Sequence, residues 1–183
     1  MRILGIDPGS SATGYGVIER REGKLVHIAH GVIRPVAGAP LASRLDQLYT
    51  TLSDVIAQHL PDSSVVEEVF VAASPRSALV LGQARGAILA AVARAGVPVN
   101  EYTPARIKRS VTGNGRATKQ QVKSMVKRLL LLDRVPASDA ADALAAAIAY
   151  ANAGRLEALG VGVGSRRRGP RAKAVTFNAR RAR

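Results

Sequence analysis

The chain has 183 residues, 47% of them apolar, no cysteine and a formal net charge of +14, a size that suits one compact domain with a full core. The lack of cysteine excludes a disulfide framework and a thiolate zinc site, His27, His30 and His59 lack metal-ligand spacing, and no apolar run or leader pattern suggests a membrane or export. A soluble, cytoplasmic protein without a membrane partner is expected, and its charge points to a polyanion, nucleic acid foremost.

Residues 3–7 form a short apolar strand stopped by the turn dipeptide Pro8-Gly9. Strand character resumes at Tyr15-Gly16-Val17-Ile18, the polar stretch 20–24 turns the chain, and 25–28 with Val32-Ile33 completes an antiparallel meander. Leu41, Leu45, Leu48, Leu52, Val55 and Ile56 recur at helical spacing, which predicts an amphipathic helix over 41–59 ended before Pro61.

Residues 65–70 read as a fourth strand and 75–95 as an Ala- and Leu-rich helix. Gly82 and Gly86, four apart, allow another helix to approach, or else tight packing on the domain's own sheet. A fifth strand over 97–102 leads to Thr103 and Pro104, an N-cap with proline at the first helical position. After a glycine loop over 112–116, Thr118 caps a helix reaching about Leu132, and Ser138 opens a last helix that fades near Asn152-Ala153-Gly154. This order predicts an α/β fold, a mixed five-stranded sheet flanked by helices, as in ribonuclease H-like proteins.

The expected ribonuclease H-like domain covers 1–153 and a flexible basic tail covers 154–183. Between 166 and 183 there are eight Lys or Arg and no acid. Such a segment has little apolar surface to bury, and it serves either solubility or electrostatic contact with DNA.

Four acids organise the rest: Asp7 at the end of the first strand, Glu67 in a β-branched run, and Asp139 and Asp142 at the start of the last helix. Asp139 and Asp142 are three apart and share a helix face. Glu67 is costly to bury unless paired or bound to a cation, while Glu68 falls on the opposite face by strand alternation. Each has an ordinary explanation, as a turn residue, an edge charge or a partner of the helix dipole. Together, in a cationic chain, they read as hard oxygen ligands for Mg²⁺ or Mn²⁺ facing a phosphodiester. Between 106 and 128 there are eight basic residues and no acid, a candidate phosphate-binding surface at helix starts and glycine amides.

The segments Gly5-Ile6-Asp7-Pro8-Gly9-Ser10 with Thr13-Gly14-Tyr15-Gly16, Val66-Glu67-Glu68-Val69-Phe70, Leu81-Gly82-Gln83-Ala84-Arg85-Gly86 and Asp139-Ala140-Ala141-Asp142-Ala143-Leu144 resemble the RuvC family of bacterial Holliday junction resolvases. The resemblance runs to about residue 153. It implies catalytic, metal-binding acids at Asp7, Glu67, Asp139 and Asp142, with two Mg²⁺ or Mn²⁺ ions per site. It also implies Phe70 as a junction-stacking aromatic and Lys108 and Lys119 as DNA contacts; Arg109 and Arg116 from the basic stretch join them as DNA-binding candidates. Hydrolysis by water would leave 5′-phosphate and 3′-hydroxyl ends. A homodimer through the 75–95 helix would place paired nicks in opposed strands of four-way junction DNA during recombination and repair, with RuvA and RuvB as branch-migration partners.

Two other readings remain at this level. A non-catalytic basic nucleic-acid-binding protein would not require the four carboxylates. An actin-like phosphotransferase shares the Asp7-Pro8-Gly9-Ser10-Ser11 loop but needs a second similar domain to close over a nucleotide.

Overall fold

The computed structural model describes residues 1–68 and 74–158, with side chains to 154. Phe70 and residues 159–183 lie outside the described residues. Ten elements follow in order: β1 (Arg2–Asp7), β2 (Thr13–Arg21), β3 (Lys24–Ile33), α1 (Leu41–His59), β4 (Ser63–Glu67), α2 (Pro75–Arg94), β5 (Val99–Tyr102), α3 (Pro104–Thr112), α4 (Lys119–Leu129) and α5 (Ser138–Ala158).

The strands form one sheet in the order β3-β2-β1-β4-β5. β1, β2 and β3 pair antiparallel, and β4 and β5 add parallel to β1, because a helix intervenes before each of the latter two. Alternation along the strands divides the core. Leu4, Ile6, Val17 and Val66 pack with α1 and α2 through Leu48, Leu52, Ile88 and Val92. Ile3, Ile18 and Val65 face the other way and meet Ile107, Val122, Leu144 and Ile148 of α3, α4 and α5.

The helix starts follow the predicted chemistry. Thr103 accepts from the Arg106 amide at 3.2 Å ahead of Pro104, and Thr118 forms a reciprocal capping box with Gln121. The ends differ. β4 stops at Glu67, so that residue lies at the strand's end rather than in mid-run, and the Glu68 amide donates to the Tyr102 carbonyl. α4 ends at Leu129, and α5 continues through Gly154 to Ala158, because a helical glycine with open space around it costs only about 1 kcal/mol.

α5 is the hub of its layer, touching β1, β2, α3 and α4. Ala140, Ala141, Ala143, Leu144, Ala145, Ala146, Ala147 and Ile148 are essentially without solvent exposure, which explains why its sequence lacks an amphipathic stripe. It lies almost in backbone contact with the sheet. A side chain at Gly5 would run into the Ala143 carbonyl, one at Gly14 into the Asp139 carbonyl, and one at Gly16 would come within 2.6 Å of Leu144. Glycines on the strands and alanines on the helix are therefore the condition for this approach.

Candidate active site

Asp7 is the last residue of β1 and shares a face with Ile3 and Gly5, the face covered by α5. Parallel pairing of Ile6 with Val66 brings the next residues, Asp7 and Glu67, side by side across strands about 4.8 Å apart. Asp7 also pairs with Gly14, over which the Asp139 backbone rests. The first turn of α5 is thus set directly above the end of β1, with Asp142 one turn further along. Three elements bring four carboxylates together.

The loop after Asp7 is tightly held. Thr13 is fully buried, its hydroxyl donates to the Gly9 carbonyl at 3.1 Å and accepts from the Gly9 amide at 3.4 Å. Arg44 of α1 donates to the Ser10 carbonyl. These two residues anchor the Pro8-Gly9 turn, and only the β2 start and the α1 position reveal their part in it.

The charges are strongly coupled. Burial, then repulsion from Glu67, Asp142 and Asp139, lifts the Asp7 pKa to about 8, with Lys119 opposing. Burial and Asp142 raise Glu67 to about 7 against the pull of Lys108 and Lys119. Lys119 Nζ stands 2.9 Å from Asp142 Oδ2, and that hydrogen bond raises the lysine's own pKa despite its partial burial. Arg34, just past β3, reaches Asp139 at 4.0 Å. Sequence reading missed Arg34 because its nearness follows from Thr13 pairing with Ile33, a register that no local motif announces.

Lys108 of α3 and Lys119 of α4 therefore sit at the acids, as cations facing carboxylates. Arg109 lies instead on α3 against Gly115 of the neighbouring α3–α4 loop, and in that loop the exposed Arg116 donates its amide to Asn114 Oδ1 at 2.9 Å. Among the described residues, no three carboxylate or imidazole groups stand close enough as placed to hold a metal ion together. The donor set nevertheless fits hard divalent cations: four carboxylates at one sheet end, two of them held near neutral pKa by burial and mutual repulsion.

The model of the crossover junction endodeoxyribonuclease RuvC family matches residues 3–150. The crossover junction endodeoxyribonuclease RuvC of Alkalilimnicola ehrlichii is 53% identical over 157 residues, covering 86% of this chain and 94% of its own. That of Geobacter sp. strain M21 is 47% identical over 163 residues, covering 89% and 99%. Thermus thermophilus RuvC, solved in complex with Holliday junction substrate, superimposes with a TM-score of 0.81 at 33% identity over 88% of this chain and 97% of its own. With its sheet order, acid-bearing strand ends and capping helix all accounted for, this chain belongs to the crossover junction endodeoxyribonuclease RuvC family.

Proposed function

We propose that this chain is a Holliday junction resolvase, an endodeoxyribonuclease that cuts four-way junction DNA by paired nicks in opposed strands during recombination and repair. The observation that carries the reading is the gathering of Asp7, Glu67, Asp139 and Asp142 at one end of the sheet, walled by Lys108 and Lys119. Family membership and the Holliday junction bound to the Thermus thermophilus relative support the substrate.

In this reading Asp7, as the central ligand, with Glu67, Asp139 and Asp142 would hold two Mg²⁺ or Mn²⁺ ions. Bound there, such ions supply Lewis acidity toward the phosphodiester and lower the pKa of a bound water. The chain's own residues do the rest. Gly5 and Gly14 let α5 bring its acids to Asp7, Thr13 and Arg44 hold the turn beside it, and Lys108 and Lys119 attract the scissile phosphate. Arg109, Arg116 and the glycine amides of the α3–α4 loop extend that contact along the backbone. Phe70, just beyond the described end of β4, stacks on an unpaired base at the crossover.

A homodimer through α2 supplies two sites for a two-fold symmetric substrate. Residues 1–153 carry the nuclease domain, and 154–183 form a basic tail for DNA or solubility. RuvA and RuvB provide branch migration, and the reaction takes place in the cytoplasm. No helix among the described residues is long and apolar enough to cross a membrane.

A strand-mapped digest of a synthetic four-way junction with Mg²⁺ and with Mn²⁺ tests the reading. Wild type should nick two opposed strands at symmetric positions, leaving ligatable ends. Asp7→Asn should abolish nicking with either metal while junction binding stays near wild type, since the carboxylates serve the ions and the cations serve affinity. Nicking retained by Asp7→Asn in Mn²⁺ would overturn the site assignment.

A further inference from the structure

At the end of the sheet away from the acids, the β2–β3 hairpin and the α4–α5 connection enclose a cavity of about 980 Å³. Arg20 and Asn152 line it. Arg20 lies six residues along β2 from Gly14, the partner of Asp7, or about 20 Å of strand. Asn152 lies a similar distance, about 20 Å, along α5 from Asp139. That end of the cavity is thus remote from the candidate active site, while its other end reaches Pro136, three residues before Asp139.

Its apolar lining is Leu25, Val26 and the leucine run of residues 129–132. Leu130 is buried and Leu132 packs on the core, while Leu131 between them is 89% exposed with a φ of +52°. A leucine rarely adopts left-handed backbone, and here that conformation accompanies an apolar side chain left in water, with Val135 beside it also exposed.

The rim is cationic. Arg20, Lys24 and Arg134 stand against a single carboxylate, Asp133. Among the described residues Arg20 Nε is buried without a hydrogen-bond partner, an arrangement that leaves a donor unsatisfied there. A bulge in the β2–β3 pairing near Val17 and Ile18 lets His27 and His30 meet in the cavity wall, Nε2 to Nδ1 at 2.7 Å.

We propose that this cavity docks a partner protein through a segment bearing acidic side chains around leucine-class ones. An apolar lining ringed by cations is complementary to such a segment in both shape class and charge. A DNA strand would meet the cations but leave the lining and Leu131 without apolar partners. The chain's own residues 159–183 carry eight Lys or Arg and no acid, so the rim repels them.

The test uses the full-length, ¹⁵N-labelled protein and a synthetic helical peptide of glutamate and leucine, beside a counterpart of equal charge with serine in place of every leucine. The leucine peptide should bind about tenfold more tightly than the serine peptide and shift the amide signals of Leu25 and Leu131. Leu131→Ser and the surface change Arg134→Glu should each remove that preference, with junction binding and cleavage unchanged. Equal binding of the two peptides would reduce the site to charge attraction and overturn the proposal. Weaker junction binding by Arg134→Glu would make the rim a nucleic-acid surface and overturn it too. So would contacts between Leu131 and residues 159–183 in the free chain, which would give the cavity an internal occupant.

Discussion

Asp7 is held at a pKa of about 8 against an ordinary value of 3.8, and Glu67 at about 7 against 4.5, with burial the largest cause of each. The folded chain therefore binds these protons more tightly than the unfolded chain does. Stability from them is present at low pH and is lost as pH rises through the window between the ordinary and the raised values. In chelator, the melting temperature of the wild-type protein should fall between about pH 4 and pH 8. Asp7→Asn should flatten that profile and melt higher than wild type at the alkaline end. Divalent cation should restore the wild type there, because the ion replaces the protons that relieve the repulsion. Differential scanning calorimetry across the range decides it, and a flat wild-type profile would mean the four acids do not share one field.

The element that matters most is α5, because its first turn carries two of the acids and its register depends on glycines in the strands beneath. Gly14→Ala would drive a methyl group into the Asp139 carbonyl, so either the helix or the strand must shift. Overpacking of this kind costs about 1–3 kcal/mol, and for a chain of this size each kcal/mol lowers the melting temperature by about 2–4 °C. Cleavage should fall further than this loss explains, since the displaced backbone is that of Asp139, and junction binding should hold. Gly154→Ala on the same helix meets nothing within 4 Å among the described residues and should melt at or slightly above wild type. Equal activity of Gly14→Ala and wild type would show that α5 has room to spare.

At the scale of the whole molecule, α2 packs Ala84, Ile88, Ala91 and Val92 onto its own sheet, but Gly82 and Gly86 do not serve that packing. A side chain at either would meet nothing within 4 Å among the described residues, which leaves the outer stripe of α2 open there to a second copy. Gly82→Arg should therefore fold normally yet sediment as a monomer, and a persistent dimer by analytical ultracentrifugation would remove α2 from the interface. Association with DNA follows from the charge surface. Each phosphate contact contributes about 0.9 to the log-log dependence of affinity on salt, so Arg116→Ala should lower the junction-binding slope by about 1 if its side chain meets phosphate. An unchanged slope would assign that arginine to solvent.

Local chemistry determined much of this protein without help from the fold. Proline and glycine after Asp7, threonine caps at Thr103 and Thr118, and leucines at helical spacing in α1 are short-range signals, so the order of elements and the mixed sheet were legible from residues alone. The acids at Asp7, Glu67, Asp139 and Asp142 stood out because carboxylates at element ends or in a β-branched run of a basic chain are conspicuous. Other features depended on pairs far apart in sequence. Glu67 became a neighbour of Asp7 through the parallel register of β1 and β4. Arg34 reached Asp139 only because β3 flanks β2. The glycines of β1 and β2 acquired their purpose when α5 came to lie on them. The cavity beyond the β2–β3 hairpin needed a bulge, a left-handed leucine and the end of α4 to coincide. Composition and periodicity encode what each segment does against its immediate neighbours, whereas register and close approach are set by the packing of the whole chain.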